Sequence, residues 1–160
     1  MTKKSLKSGF TLIELLVVVA ILSVLAVTVF VALNPAKRLK DSKDARRSTD
    51  IESILTAVHE SIVDNKGTLP AGLTAGMVEK QLGSGVTGCI INSGGCAVAG
   101  NTDCVDLTTP MAKYLKTMPL DPGGTSSASL TGYSINVDTN GIVTVKACAA
   151  EGGTNLTISR

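Results

Sequence analysis

Ser8-Gly9-Phe10-Thr11-Leu12-Ile13-Glu14 opens the stretch whose reading decides the fold, and it continues as LLVVVAILSVLAVTVFVAL to Leu33. From Phe10 to Leu33 the one ionisable group is Glu14, and the other polar interruptions are Thr11, Ser23 and Thr28. At about 1.5 Å of rise per residue, a helix over this stretch is long enough to cross a hydrocarbon core of roughly 30 Å. A membrane-spanning helix is therefore expected here, and the rest of the chain is read relative to it.

Glu14 is out of place in such a helix. A carboxylate near the middle of a membrane helix costs about 3 kcal/mol on insertion scales. Close to one end the cost is smaller but still unfavourable unless a cation partners it. Cutting the chain between Gly9 and Phe10 would create that cation, because the new amine would lie one helical turn from Glu14. Gly9 leaves the backbone at that bond open to a protease.

At Gly9-Phe10-Thr11-Leu12-Ile13-Glu14 the chain resembles the type IV pilin and pseudopilin family. The motif sits behind a short basic leader and ahead of an apolar helix, and it matches the family's processing and assembly motif without a substitution. The resemblance implies that a prepilin peptidase cuts after Gly9 and methylates the new amine of Phe10. It implies that Glu14 then pairs with that amine on a neighbouring subunit as a filament grows. It also implies a division into a leader (1–9), a membrane and assembly helix (10–33), an amphipathic half of the same helix (34–66) and a globular head (67–160). The implied partners are further copies of the chain, the prepilin peptidase, the pilus assembly platform and the membrane. A pool in the inner membrane would precede an extracellular pilus.

An ordinary secretory signal peptide is the competing reading of the N-terminus. Its apolar core would run about 7–15 residues and end in a small-x-small cleavage site. Here the core is roughly twice that length, it contains Glu14, and Phe30 stands at the third position before a cut after Ala32. Charge gives a divided answer on orientation. Lys3, Lys4 and Lys7 suit a cytoplasmic tail, but Lys37, Arg38, Lys40, Lys43, Arg46 and Arg47 crowd the other flank. A long C-terminal domain translocates largely regardless of such charge, and the four cysteines suit an oxidising compartment. A net charge of +2 carries no argument for nucleic acid.

Asn34-Pro35 is expected to break the helix at the membrane exit. Beyond it the chain is highly charged to Asp50, with Lys37 and Asp41, Lys40 and Asp44, and Arg46 and Asp50 each spaced for an i,i+4 pair. A solvated helix face explains these charges; the resemblance implies instead a filament interior where charges on adjacent subunits meet. Ile51, Ile54, Leu55, Val58 and Ile62 then form an apolar stripe at helical spacing, which a head must cover. His59 beside that stripe has no cluster of ligands around it and is expected to face solvent or be hydrogen-bonded. Asn65-Lys66-Gly67 ends the helix.

The segment from Thr68 to Thr102 is rich in Gly, Ala, Thr and Ser, with a short helix expected at Met77–Leu82 and a short strand at Cys89–Ile91. Thr109 and Pro110 are expected to cap and open a short helix reaching Thr117, stopped by Pro119. Tyr133–Val137 and Ile142–Lys146 around Asp138-Thr139-Asn140-Gly141 read as a β-hairpin, with Leu156–Ile158 as an edge strand. The expected fold is thus α+β: a long N-terminal helix, transmembrane in its first half, packed by its second half against a small antiparallel sheet. The family resemblance implies this same type IV pilin fold.

Cys89, Cys96, Cys104 and Cys148 read as two disulfides with three possible pairings. The favoured pairing joins Cys89 to Cys96 across a Gly-rich loop and Cys104 to Cys148, the latter worth roughly 3–4 kcal/mol in the chain-entropy model. A zinc site would want a C-x-x-C pair, which the chain lacks. Catalysis finds no support, since there is no Gly-x-Ser-x-Gly, no phosphate-binding loop and no metal-binding pair of histidines. No cofactor is expected; Asp103, Asp106, Asp121 and Asp138 are loop carboxylates of the sort that could hold Ca²⁺, as in some pseudopilins. Asn155-Leu156-Thr157 is the single N-x-S/T sequon. The expected function is the major structural subunit of a type IV pilus. The alternatives are a major pseudopilin of a type II secretion or DNA-uptake machine, and an anchored binding module that never polymerises.

Overall fold

The computed structural model describes residues 9–160, so Lys3, Lys4, Lys7 and the rest of the expected leader up to Ser8 lie outside the described residues. Two compact units divide the chain, one ending at Leu39 and the other spanning Lys40–Arg160.

In the first unit, α1 runs Leu12–Leu33 and buries none of its residues. Its composition fits lipid, where a helix is favoured because every backbone group must be satisfied within the segment. The two hydroxyl side chains inside it obey the same rule. Ser23 Oγ donates to the Val19 carbonyl at 2.7 Å and Thr28 Oγ1 to the Leu25 carbonyl at 2.8 Å. Asn34, at φ 39°, ends α1 in the left-handed region. The break falls where the Asn-Pro pair predicts it. Asn34 also starts α2 (Pro35–Asp64), since its carbonyl accepts from Lys37 N at 3.0 Å and from Arg38 N at 3.2 Å. Pro35 stands at the first helical position, where a missing N–H costs nothing.

The second unit is built on the later part of α2. Ile51, Ile54, Leu55 and Val58 are buried at the expected spacing, with Ile62 packed partly buried beside them. A five-stranded sheet completes the core. Its strands are β1 (Lys80–Leu82), β2 (Cys104–Val105), β3 (Tyr133–Val137), β4 (Val143–Ala147) and β5 (Leu156–Ser159), in the order β2-β1-β3-β4-β5. β3 and β4 pair antiparallel from Tyr133↔Ala147 to Val137↔Val143. Alternation then places Tyr133, Ile135 and Val137 with Val143, Val145 and Ala147 in the core with the α2 stripe. Burying each large aliphatic side chain is worth about 1.5–3 kcal/mol.

The α+β architecture is the expected one, with differences in its smaller parts. The sheet is mixed rather than antiparallel, because β1 and β2 pair in parallel through Gln81↔Cys104 and Leu82↔Val105. The expected helix at Met77–Leu82 is instead β1, since Lys80 and Gln81 pair with Ile135 and Ser134 of β3. Cys89–Ile91 contributes no strand, only an isolated bridge between Ile91 and Val98. The short helix α3 spans Thr108–Met111, one turn instead of two or more. Its start is set by Asp106, whose Oδ1 accepts from Thr108 N at 2.8 Å and from Thr108 Oγ1 at 2.6 Å, so neither Thr109 nor Pro110 is the first residue.

At the end of α2, Gly67 N donates to the Ile62 carbonyl at 2.8 Å and Lys66 N to the Val63 carbonyl at 3.2 Å. This is a Schellman closure. The left-handed position that glycine usually fills there is held by Lys66 at φ 55°, with Gly67 following at φ 90°.

Candidate functional site

Gly9 and Phe10 precede the first turn of α1 and are both exposed, Phe10 at 88%. A Cβ placed on Gly9 would meet nothing within 4 Å. The Gly9–Phe10 bond therefore lies on open backbone just ahead of a regular helix, the geometry a peptidase needs to reach a single bond. Thr11, at φ −80° and ψ 149°, is the N-cap of that helix.

Glu14 is held by this cap. Its Oε2 accepts from Thr11 N at 2.9 Å and from Thr11 Oγ1 at 2.8 Å, and Glu14 N donates to Thr11 Oγ1 at 3.2 Å. Together these form a reciprocal capping box. The carboxylate also sits at the positive end of the α1 dipole. Its cost in the membrane helix is thus offset within its own chain, which reasoning from charge alone missed. The signal was in the sequence, because Thr11-Leu12-Ile13-Glu14 is a T-x-x-E pattern opening an apolar run. Both bonds to the carboxylate use Oε2; among the described residues Oε1 accepts none.

The four cysteines do form two disulfides, but with a different pairing from the expected one: Cys89–Cys104 and Cys96–Cys148. Register explains the difference. Cys89 N donates to the Asn101 carbonyl at 3.1 Å, which brings Cys89 to the start of β2 where Cys104 lies. Ser93 Oγ donates to the Cys148 carbonyl at 2.7 Å, laying the 93–96 turn over the end of β4. Gly94 makes that crossing possible. Its φ is 57°, and a Cβ there would stand 2.5 Å from the Cys148 carbonyl oxygen.

In the second unit the basic flank of α2 turns inward at Arg47, which is wholly buried. Arg47 Nε donates to Asp121 Oδ2 at 2.6 Å and Arg47 Nη2 to Asp121 Oδ1 at 3.0 Å, a bidentate pair. Nη1 donates to Asp44 Oδ1 at 2.7 Å and Nη2 to Glu151 Oε1 at 3.3 Å. These bonds, led by the one to Asp121, raise the guanidinium pKa against the opposing effect of burial. Lys43 Nζ adds a bond to Glu151 at 3.1 Å and lowers its pKa. Burial raises the pKa of Asp44, but the N–H groups of Glu151 and Gly152 together with Arg47 outweigh it and the net shift is downward. Of the three expected i,i+4 pairs, Arg46–Asp50 forms at 3.9 Å. Asp44 pairs with Arg47 rather than Lys40.

His59 is half-buried with Nδ1 hydrogen-bonded to the Leu55 carbonyl at 2.8 Å. Among the described residues no three or more His, Cys, Asp or Glu side chains gather as for a metal ion. Asp106 caps Thr108, Asp121 holds Arg47, and Asp138 Oδ1 accepts from Asn140 N and Ile142 N in the hairpin turn. Asp103 donates its N–H to the Gly100 carbonyl at 3.1 Å. Asn155 and Thr157 of the sequon are both exposed at the start of β5.

Residues 4–30 match the family model described as the prokaryotic N-terminal methylation motif. This is the class III signal peptide of type IV pilins, so the chain carries the N-terminus of a type IV pilin-like or pseudopilin-like precursor. With α1 apolar and long enough to cross a membrane, that precursor is membrane-anchored. The match ends at residue 30 and does not extend to the head. Comparison with curated proteins and with solved structures returned no match for the chain.

Proposed function

We propose that the chain is the major structural subunit of a type IV pilus, a building block and not a catalyst, working without a cofactor. A prepilin peptidase cuts the exposed Gly9–Phe10 bond and the Phe10 amine is methylated. Subunits stored in the inner membrane then associate through α1 on the assembly platform into a homopolymer that emerges outside the cell. The observation that carries this reading is an open Gly9–Phe10 bond directly ahead of a capped apolar helix whose one ionisable group is Glu14. Glu14 supplies the register. With Oε2 taken by Thr11, Oε1 is the oxygen that receives the Phe10 ammonium of a neighbouring subunit.

Intact-mass analysis of material sheared from native cells, with and without reduction, tests the reading. The expected species begins at N-methylated Phe10 and gains the mass of about four protons on reduction. Processed protein confined to the membrane would replace the pilus by a pseudopilus. Protein that retains residues 1–9 would leave an anchored module that does not polymerise.

A further inference from the structure

α1 holds 22 residues, about 33 Å at 1.5 Å of rise each, and so fills a hydrocarbon core of roughly 30 Å from end to end. Beyond each face of that core lies a headgroup layer about 5–7 Å deep. Lys37 and Arg38 belong to the same unit as α1 and follow Leu33 in the first turns of α2. On a straight axis they would stand about 6–8 Å past the core, and nearer where the chain turns at Asn34. Their flexible stems bring the charged ends to the depth of the lipid phosphates.

Both side chains are exposed, and among the described residues neither forms an ion pair. Asp41, one turn on from Lys37, pairs with neither of them. The cations further along α2 behave differently, since Lys43, Arg46 and Arg47 all meet carboxylates. Leu39, next to Arg38, is 60% exposed. Unpaired cations beside an exposed aliphatic side chain, just past a membrane span, form the pattern of a segment lying at the lipid interface. Basic residues on this flank also oppose the orientation that Lys3, Lys4 and Lys7 favour. A contact that uses them gives that conflict a reason.

We propose that Lys37 and Arg38 bind the phosphate of an anionic phospholipid, of the phosphatidylglycerol type, in the leaflet at the C-terminal end of α1. The Arg38 guanidinium offers a fork to two phosphate oxygens, and Lys37 adds a compact charge. Leu39 supplies apolar contact at the acyl boundary. A zwitterionic lipid presents the same phosphate beside a choline cation, which both side chains repel. The site rests on α1 lying in a membrane and does not depend on whether the chain polymerises.

The test is an NMR titration of the full-length, nitrogen-15-labelled precursor in phosphatidylcholine bicelles, with phosphatidylglycerol added stepwise. Because Lys3, Lys4 and Lys7 also attract anionic lipid, the readouts are the Arg38 Nε–H signal and the backbone amides at positions 37 and 38. These signals should shift saturably. Each cation near an anionic surface contributes about fivefold in affinity, so Lys37→Gln combined with Arg38→Gln should weaken binding at the two backbone amides about 25-fold. Lys116→Gln, exposed on the head, should leave the titration unchanged. Inorganic phosphate in pure phosphatidylcholine bicelles should produce no comparable shift. Absence of a saturable shift with phosphatidylglycerol would overturn the proposal, as would an equal shift with inorganic phosphate or a titration that the double substitution leaves unchanged. Hydrogen exchange in the same bicelles separates the two levels of the reasoning. Unprotected amides across α1 would overturn the membrane reading and this site with it, whereas protected amides without the shift would overturn this site alone.

Discussion

Glu14 does two things in the proposed scheme, and substituting it by alanine confounds them. Its carboxylate caps α1 through Thr11, and its charge is the register mark for a neighbouring Phe10 amine. Glutamine separates the two, because Gln at this position supports a capping box but carries no charge. Thr11→Val does the converse, removing the cap and leaving the charge. Loss of an N-cap costs about 0.5–2 kcal/mol. Removing one partner of a desolvated ion pair costs about 3–5 kcal/mol. At 1.4 kcal/mol per factor of ten, Thr11→Val should cut assembly by about fivefold and Glu14→Gln by a hundredfold or more. The assay compares sheared filament with the membrane pool in each strain, after mass analysis has established that both variants are cut after Gly9. Normal filaments from Glu14→Gln would refute the pairing argument. Equal failure of Thr11→Val would show that the cap alone explains the need for Glu14.

Two further outcomes follow from the head. Mapping of disulfide-linked peptides should recover Cys89 with Cys104 and Cys96 with Cys148, and replacing Cys96 and Cys148 by serine should destabilise the head by about 4 kcal/mol for a loop separation of 52 residues. Recovery of a Cys89–Cys96 peptide from native protein would contradict the register described above. On acidification, Glu151 and Asp44 have pKa values lowered from their ordinary 4.5 and 3.8. The unfolded chain therefore takes up their protons first. Their contribution is complete above about pH 5 and is lost as pH falls through the lowered values. Thermal melts from pH 7 to 3 should show the midpoint falling below about pH 5; a flat profile there would mean that the Arg47 cluster contributes little.

The parts legible in the sequence are those written in contiguous residues. The apolar run of α1, the stripe from Ile51 to Ile62, and the β3–β4 hairpin all follow from local periodicity and turn chemistry. The Gly9 to Glu14 motif was legible for the same reason. Thr11 was legible too, as the first residue of a capping box, but attention to the charge of Glu14 passed over it. What stayed hidden depends on register between distant segments. β1 and β2 are three and two residues long, too short to show a period, and are strands because of what they pair with. The choice among cysteine pairings is settled by Asn101 and Ser93 holding loop segments against strand ends. Arg47 looked like one more cation of a basic flank, and only its meeting with Asp121, far along the chain, makes it a buried group.

The two disulfides interleave, since Cys96 lies inside the Cys89–Cys104 loop and Cys148 lies outside it. Any single nick between Cys89 and Cys148 therefore leaves the two pieces covalently joined. The expected pairing had no such property, because a cut between Cys96 and Cys104 would have released the fragments. Exposed loops rich in small and polar residues are where proteases usually strike, and the segment from Ile90 to Thr102, inside that span, is one. A head exported to a protease-rich exterior could be clipped there once and still remain a single covalent body on its helix.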